Sequence, residues 1–124
     1  NRYFNYIYVR MGAHTLIHKR TEDDIWKNLF ELPLVETEKD LSEEEFLACP
    51  QFHALFAEGE VRMVRTLLRG VKHVLSHRVI YTNFYEVTLP DNSSSFSSYQ
   101  RVAVEDLDRY AVPRLIHAFL EKYV

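Results

Sequence analysis

The chain has 124 residues, the size of one domain, and carries 15 Lys+Arg against 18 Asp+Glu for a formal net charge of −3. With 47% hydrophobic residues, 27% charged residues, 3 glycines and 4 prolines, the composition excludes a disordered tail, a collagen-like chain and a low-complexity segment. The single cysteine, Cys49, excludes an internal disulfide framework and a self-contained iron–sulfur cluster. No apolar run approaches the ~18 residues of a membrane span, and no signal peptide is visible. A chain of this length removes about two-thirds of its unfolded surface from water on folding, enough for one core without covalent staples. It opens on Asn1 with a strand-like pattern at once. That start suggests a segment cut from a longer protein.

Tyr3–Arg10 is rich in aromatic and β-branched residues and predicts a strand. Met11-Gly12-Ala13 predicts a hairpin turn, with Leu16-Ile17-His18 as the partner strand. Thr21–Asp24 is a polar break. Leu29–Val35 predicts a brief or edge strand, because Pro33 cannot donate to a ladder. Ser42–Glu45 is S-x-x-E, the reciprocal capping box that opens a helix, and Pro50 ends or kinks that helix. Gln51–Phe56 predicts another helical turn, and Val61–Leu68 is ambiguous between helix and strand. Val71–Val74 and Val79–Leu89 predict two strands around Leu75-Ser76-His77. In the second, Val79, Tyr81, Tyr85 and Val87 share one face, and Ile80, Thr82 and Phe84 share the other. Pro90–Tyr99 predicts a polar, Ser-rich loop, the least ordered part of the chain. Glu105–Tyr110 predicts a helical turn. Pro113 suits the first position of a final helix whose apolar residues are Leu115, Ile116, Phe119, Leu120 and Tyr123. The fold class is α+β, a mostly antiparallel or mixed sheet packed with helices.

The net charge hides a segregation. Residues 1–20 carry Arg2, Arg10, Lys19 and Arg20 and no acid; Glu22–Glu60 carries twelve acids against two lysines. Val61–Tyr85 carries five basic residues, two histidines and no acid. Basic segments of this kind can attract polyanions, although solvated faces are the more common reason for them.

Four histidines fall in i, i+4 pairs, His14/His18 and His73/His77. A zinc site needs three or four ligands, and neither pair encloses a Glu, so strand and turn histidines with local partners are favoured. Cys49 has no basic neighbour in sequence to lower its pKa and reads as an inert thiol. Glu43-Glu44-Glu45 reads as a solvated first helical turn that complements the helix dipole, rather than as a cation site. The segment Arg69–Arg78, RGVKHVLSHR, gathers Lys72, His73, His77 and Arg78 around a turn that also holds Ser76. Hairpin tips presented by a sheet carry function. Such residues could hold phosphates and probe a base edge.

Ile25-Trp26-Lys27-Asn28-Leu29-Phe30-Glu31-Leu32-Pro33 resembles the G-L-W-x-x-L-W-E-F-P segment of MutY-type adenine DNA glycosylases, and His18-Lys19-Arg20 before it looks like their Q/K-R-P. Lys72-His73-Val74-Leu75-Ser76-His77 resembles the family's H-x-F-S-H loop, and Tyr110–Ile116 is similar to its closing Y-A-x-P helix. The motifs occur in the family's order over about half of the chain. Leu75 stands where the family has Phe, and Ile25 and Phe30 replace Leu and Trp. The resemblance implies that residues 1–124 form the C-terminal, Nudix-like (MutT-like) domain of a base-excision-repair enzyme, which checks for 8-oxoguanine opposite the adenine to be excised. It implies that the catalytic residues of the parent adenine DNA glycosylase (a hydrolase of N-glycosyl bonds) and its 4Fe-4S cluster lie in an N-terminal domain not contained in this sequence. The implied partners are double-stranded DNA with an 8-oxoguanine:adenine mispair and the chain's own catalytic domain. The implied location is cytoplasmic, on DNA, in a bacterial nucleoid.

8-Oxoguanine differs from guanine at two adjacent atoms: position 7 becomes an N–H donor and position 8 gains a carbonyl acceptor. A serine hydroxyl beside backbone N–H and C=O groups can accept at one atom and donate at the next. Ser76, placed by the backbone of Leu75 and His77, is therefore the expected base reader. Lys72, His73 and Arg78, with the His77 ring, are the expected phosphate contacts. No catalytic or metal-binding residue is expected in this segment, because the Nudix box G-x5-E-x7-R-E-U-x-E-E-x-G-U does not occur in it and Glu43-Glu44-Glu45 has no preceding R-E pair. The alternatives are a Nudix-type hydrolase of a nucleoside diphosphate derivative, and a protein-interaction domain without DNA contact.

Overall fold

The computed structural model describes all residues, Asn1–Val124. Its strands are β1 (Arg2–Arg10), β2 (His14–Lys19), β3 (Phe30–Glu31), β4 (Leu34–Thr37), β5 (Met63–Leu75), β6 (Arg78–Thr88) and β7 (Gln100–Ala103). The helices are α1 (Glu43–Ala48), α2 (Pro50–His53) and α3 (Arg114–Tyr123), with a 3-10 helix over Val104–Arg109. One sheet has the order β4-β1-β6-β5, and a smaller one the order β3-β2-β7. Only the central β1–β6 pair is parallel; the other pairs are antiparallel.

The predicted hairpin between β1 and β2 does not form. The two strands meet only at a Met11–His14 bridge, and β2 then pairs with β3 and β7 in the other sheet. Gly12, with φ +60, lets the chain turn there and leave the first sheet. The Leu29–Val35 stretch splits at Leu32-Pro33 into β3 and β4, each at a sheet edge, where a missing N–H costs no ladder bond.

Alternation along β1 and β6 divides the core. Phe4, Tyr6, Tyr8, Ile80 and Phe84 face one cluster with Ile17, Leu32, Leu107 and the α3 residues Leu115, Ile116 and Phe119. Ile7, Val9, Tyr85 and Val87 face the other, with Phe46 and Phe52 of α1 and α2. Both faces of the β1–β6 pair are thus dry, which is why these strands read as nearly continuous apolar runs. Phe119 stacks on Phe84 at 4.1 Å between centroids, and Phe46 on Tyr85 at 4.6 Å.

The Ser42 capping box forms in full: Glu45 N–H donates to Ser42 Oγ at 3.1 Å, and Ser42 N–H to Glu45 Oε1 at 2.9 Å. The Ser-rich segment is tied down, contrary to its expected looseness. Glu60 Oε1 accepts from the Ser93 hydroxyl at 2.6 Å and the Ser95 hydroxyl at 2.7 Å, and Oε2 accepts from Ser94 N–H at 3.1 Å. The ambiguous Val61–Leu68 segment becomes strand from Met63, where it pairs with the far end of β6.

Candidate functional site

β5 and β6 make one long hairpin whose last pair is Leu75–Arg78. The turn is therefore Ser76-His77 alone. Neither residue has positive φ, so this is not the primed turn that two-residue hairpins favour. Ser76, His77 and Arg78 are exposed, as is Lys72. The register of β5 against β6 shifts twice, between Thr66 and Leu68 and between Leu68 and Val71, and Gly70 takes φ +69 there. Gly70 N–H donates to Asn83 Oδ1 at 2.8 Å, which fixes the irregularity. Bulges of this kind raise local twist and re-aim the strand beyond them.

Strand alternation then sorts the predicted site residues onto two faces. His73, Leu75 and Arg78 lie over the α3-side core, where Leu75 packs against the apolar cluster. Lys72 and Val74 lie on the opposite face, where Val74 is 65% exposed. The structure thus brings Ser76, His77 and Arg78 together at the tip, and sets Lys72 and His73 on either side of the hairpin behind it. An open groove of about 720 Å³ runs along the tip between Arg2, Ser76 and Arg78.

The loop from Thr21 to Leu29 supports this end. The polar break expected at Thr21–Asp24 continues as turns through Asn28, with Trp26 at φ 59 and Asn28 at φ 72. Left-handed backbone at a bulky residue is rare and persists only where surroundings enforce it. Here Asp24 does so. It takes a two-point fork from Arg2 at 2.8 and 2.9 Å, a bond from Arg20 at 3.0 Å and one from the Ile25 N–H at 2.8 Å. Arg78 reaches the same carboxylate at 4.0 Å. The Arg2 guanidinium is the main reason the Asp24 carboxyl is held down at about 2. Trp26 packs edge-on against Phe4 at 6.0 Å and His73 at 5.9 Å.

A buried carboxylate lies beneath. Glu31 is 2% exposed and accepts from the Tyr6 hydroxyl at 2.7 Å and from Arg20 at 2.9 Å. His18 Nε2 stands 2.9 Å from its other oxygen, without hydrogen-bond alignment. The charge segregation along the chain is therefore largely cancelled in space. Arg2 and Arg20 are spent on Asp24, Glu31 and Glu36, Arg65 meets Glu86 through Nε alone, and Arg69 lies beside Asp40. What stays free at the tip is Lys72, His77 and one side of Arg78.

The remaining candidates are placed apart. His14 and His18 lie on a strand, where i, i+4 residues stand two pleats apart, and His73 packs on Trp26. Cys49 is half-buried between α1 and α2. Glu45 is occupied by the capping box, and the Ser42 N–H holds its carboxyl below the usual range. Residue spacing alone could not show the Asp24 cluster, because its partners are separated by 22 and by 54 positions. The polar run Glu22-Asp23-Asp24 just after Arg20 was its only trace.

The geometry has known counterparts. The C-terminal domain of mouse MUTYH, solved in complex with human PCNA, superposes with a TM-score of 0.73 at 14% identity, over 99% of this chain and 87% of that one. RenU, a Nudix hydrolase from M. smegmatis, matches with a TM-score of 0.65 at 10% identity, over 98% of this chain and 81% of that one. The MutT protein of Methanosarcina mazei Go1 matches with a TM-score of 0.60 at 17% identity, over 97% and 90%. At these identities the likeness is one of fold. No curated protein matches the sequence. The NUDIX domain profile matches residues 5–122, nearly the whole chain, and this protein belongs to the NUDIX domain family.

Proposed function

We propose that this NUDIX domain serves DNA base-excision repair by reading 8-oxoguanine opposite adenine for a MutY-type adenine DNA glycosylase of which it is the C-terminal part. The observation that carries the reading is the tip of the β5–β6 hairpin. There the exposed Ser76-His77 turn stands beside Arg78, with Leu75 turned into the core beneath it. A solvent-facing hydroxyl flanked by backbone groups can donate to the position-8 carbonyl and accept from the position-7 N–H of the oxidised base. Arg78, His77 and Lys72 flank it on both faces, as phosphates on either side of a probed base require. The motif order around Trp26, Ser76 and Tyr110, and the fold shared with a MUTYH C-terminal domain, support the same reading. That relative was solved with PCNA, so a sliding-clamp partner is part of the proposal, beside the parent's own catalytic domain and its 4Fe-4S cluster. Flipping of the opposing adenine by that domain costs least at a mispair. The proposed location is on DNA in the cytoplasm.

A second reading, hydrolysis of a nucleoside diphosphate derivative, is favoured by the family itself and by the RenU and MutT folds. Against it, the Nudix box does not occur in the sequence, and the acidic helix α1 spans six residues and uses Glu45 as a cap. Fluorescence anisotropy with labelled duplexes separates the two. The repair reading expects tighter binding to an 8-oxoguanine:adenine duplex than to guanine:adenine and, in a parallel assay, no magnesium-dependent hydrolysis of 8-oxo-dGTP to the monophosphate and pyrophosphate. Equal binding to both duplexes, together with turnover, would replace it by the hydrolase reading.

A further inference from the structure

At the opposite end of the hairpin, on the order of 30 Å from Ser76 at ~3.3 Å per strand residue, the sheet carries a second set of functional groups. Tyr8, Glu86 and Arg65 form one transverse row across β1, β6 and β5. Arg10 lies two residues beyond Tyr8 on the same face. Glu86 is 6% exposed, accepting from Arg65 Nε at 2.9 Å and lying 3.8 Å from Arg10 Nη1. The α3-side core ends at Tyr8, so beyond it the sheet face opens into a cavity of about 710 Å³. Tyr123, His14 and Val104 close its other sides. Glu105 stands exposed on its rim.

Two features of this cavity call for a ligand. The Tyr8 side chain is only 4% exposed, lines the cavity and makes no hydrogen bond within the chain. Burial pushes its hydroxyl pKa up, so it remains a donor at neutral pH. The guanidiniums of Arg10 and Arg65 are about half exposed, and the single carboxylate between them leaves most of their N–H groups unused. The buried Glu86 holds Arg65 through Nε, while Arg10 stands 3.8 Å away without a hydrogen bond, and Glu105 on the rim balances the one positive charge that the three groups leave. The free Nη1 and Nη2 edge of Arg65 can meet an oxyanion at two points. The volume is that of a small-molecule site, and the Tyr8 and Tyr123 rings supply apolar wall.

We propose that this cavity binds a small organic oxyanion, a carboxylate or phosphate head on an aromatic or aliphatic body. The head accepts from Arg10, Arg65 and the Tyr8 hydroxyl, and the body lies against Tyr123 and Val104. The site is independent of the hairpin tip and of the DNA reading. The test is an NMR titration of the 124-residue chain with benzoate, phenyl phosphate and inorganic phosphate. Saturable shifts of the Tyr8, Arg65 and Val104 amides with benzoate or phenyl phosphate are expected, each binding more tightly than inorganic phosphate. The tighter of the two aromatic probes identifies the head group. Arg65→Gln is expected to weaken binding about tenfold or more, and Tyr8→Phe severalfold with an unchanged amide spectrum elsewhere. Arg62→Gln, whose parent side chain bonds the Gly59 carbonyl outside the cavity, is expected to bind like the unaltered chain. Linear, unsaturating shifts would overturn the proposal. So would equal affinity of Tyr8→Phe and the unaltered chain, a comparison that survives even if Arg65→Gln does not fold.

Discussion

Arg2 and Asp24 are joined by a two-point fork, Nη1 to Oδ1 at 2.8 Å and Nη2 to Oδ2 at 2.9 Å, which pins the Trp26 loop to the first residue of β1. The same guanidinium holds Glu36 on β4 at 2.8 Å through both Nε and Nη2. One arginine thus ties together three segments next to the hairpin tip. Asp24→Ala removes the fork, the Arg20 bond and the Ile25 cap at once. It is expected to cost ~1–3 kcal/mol, because the pair is partly buried. Urea unfolding measures the loss, and a change below about 0.5 kcal/mol, within the range of ordinary surface substitutions, would deny the loop its anchor.

The same carboxylate sets an acid limit. Asp24 is held at about 2, chiefly by the Arg2 hydrogen bonds, against an ordinary value of about 3.9. A depressed folded value means the unfolded chain binds the proton first. The Asp24 contribution is therefore complete above about pH 4 and is lost as pH falls towards 2. Glu60, held at about 2 mainly by the Ser93 hydroxyl, acts in the same window and direction. Thermal unfolding between pH 5 and pH 2 should show a shallower acid decline in Asp24→Asn than in the unaltered chain. Parallel declines would remove Asp24 from the acid response.

Glu31 is the buried counterpart. Replacing it with Ala leaves the Arg20 guanidinium, 10% exposed, without its inner partner and the Tyr6 hydroxyl without an acceptor. Loss of one member of a buried pair costs ~3–5 kcal/mol. That is a large share of the ~5–15 kcal/mol by which a domain is stable, so a clearly lowered melting temperature is expected. Circular dichroism melting reads this directly, and a cooperative melt close to that of the unaltered chain would contradict it.

Much of this arrangement was legible in residue order. The Ser42 capping box, the alternation of β6, the Pro33 break and the final helix follow from local chemistry, which the fold leaves intact. The β1–β2 hairpin was misplaced because a Gly-bearing turn specifies a reversal of direction and not the sheet that receives the next strand. The shape of the Trp26 loop was not legible, because it is set by distant ion pairs and no window of neighbouring residues contains Arg2, Asp24 and Arg78 together. The tip itself was found correctly as a turn. Its division into two faces depends on the double register shift around Gly70, which nothing but the partner strand reveals.

The Phe84–Phe119 stack holds α3 to the middle of the sheet, with ring planes within 5°. Phe119→Ala creates a cavity in the larger core cluster and is expected to cost ~3–5 kcal/mol. Unfolding by guanidinium chloride gives the value. A cost under about 1 kcal/mol would mean that α3 docks elsewhere.

Under the proposed repair role, Ser76→Ala in a glycosylase carrying this domain should reduce the preference for 8-oxoguanine over guanine by the ~1–3 kcal/mol that a good polar base contact is worth. Lys72→Ala and Arg78→Ala should instead weaken binding to every duplex and lower the salt slope by about one unit each. Excision rates on paired substrates over a range of salt concentrations distinguish these effects. A loss confined to oxidised DNA in the Lys72 variant would reverse its assignment.

The central claim is that the Ser76-His77 turn meets the oxidised base. An NMR titration of the chain with a short duplex carrying a single 8-oxoguanine:adenine pair tests it most directly. The account predicts that the largest amide shifts fall on Leu75, Ser76 and His77, and that they shrink when guanine replaces 8-oxoguanine. Shifts centred away from the tip, or identical with both duplexes, would contradict it.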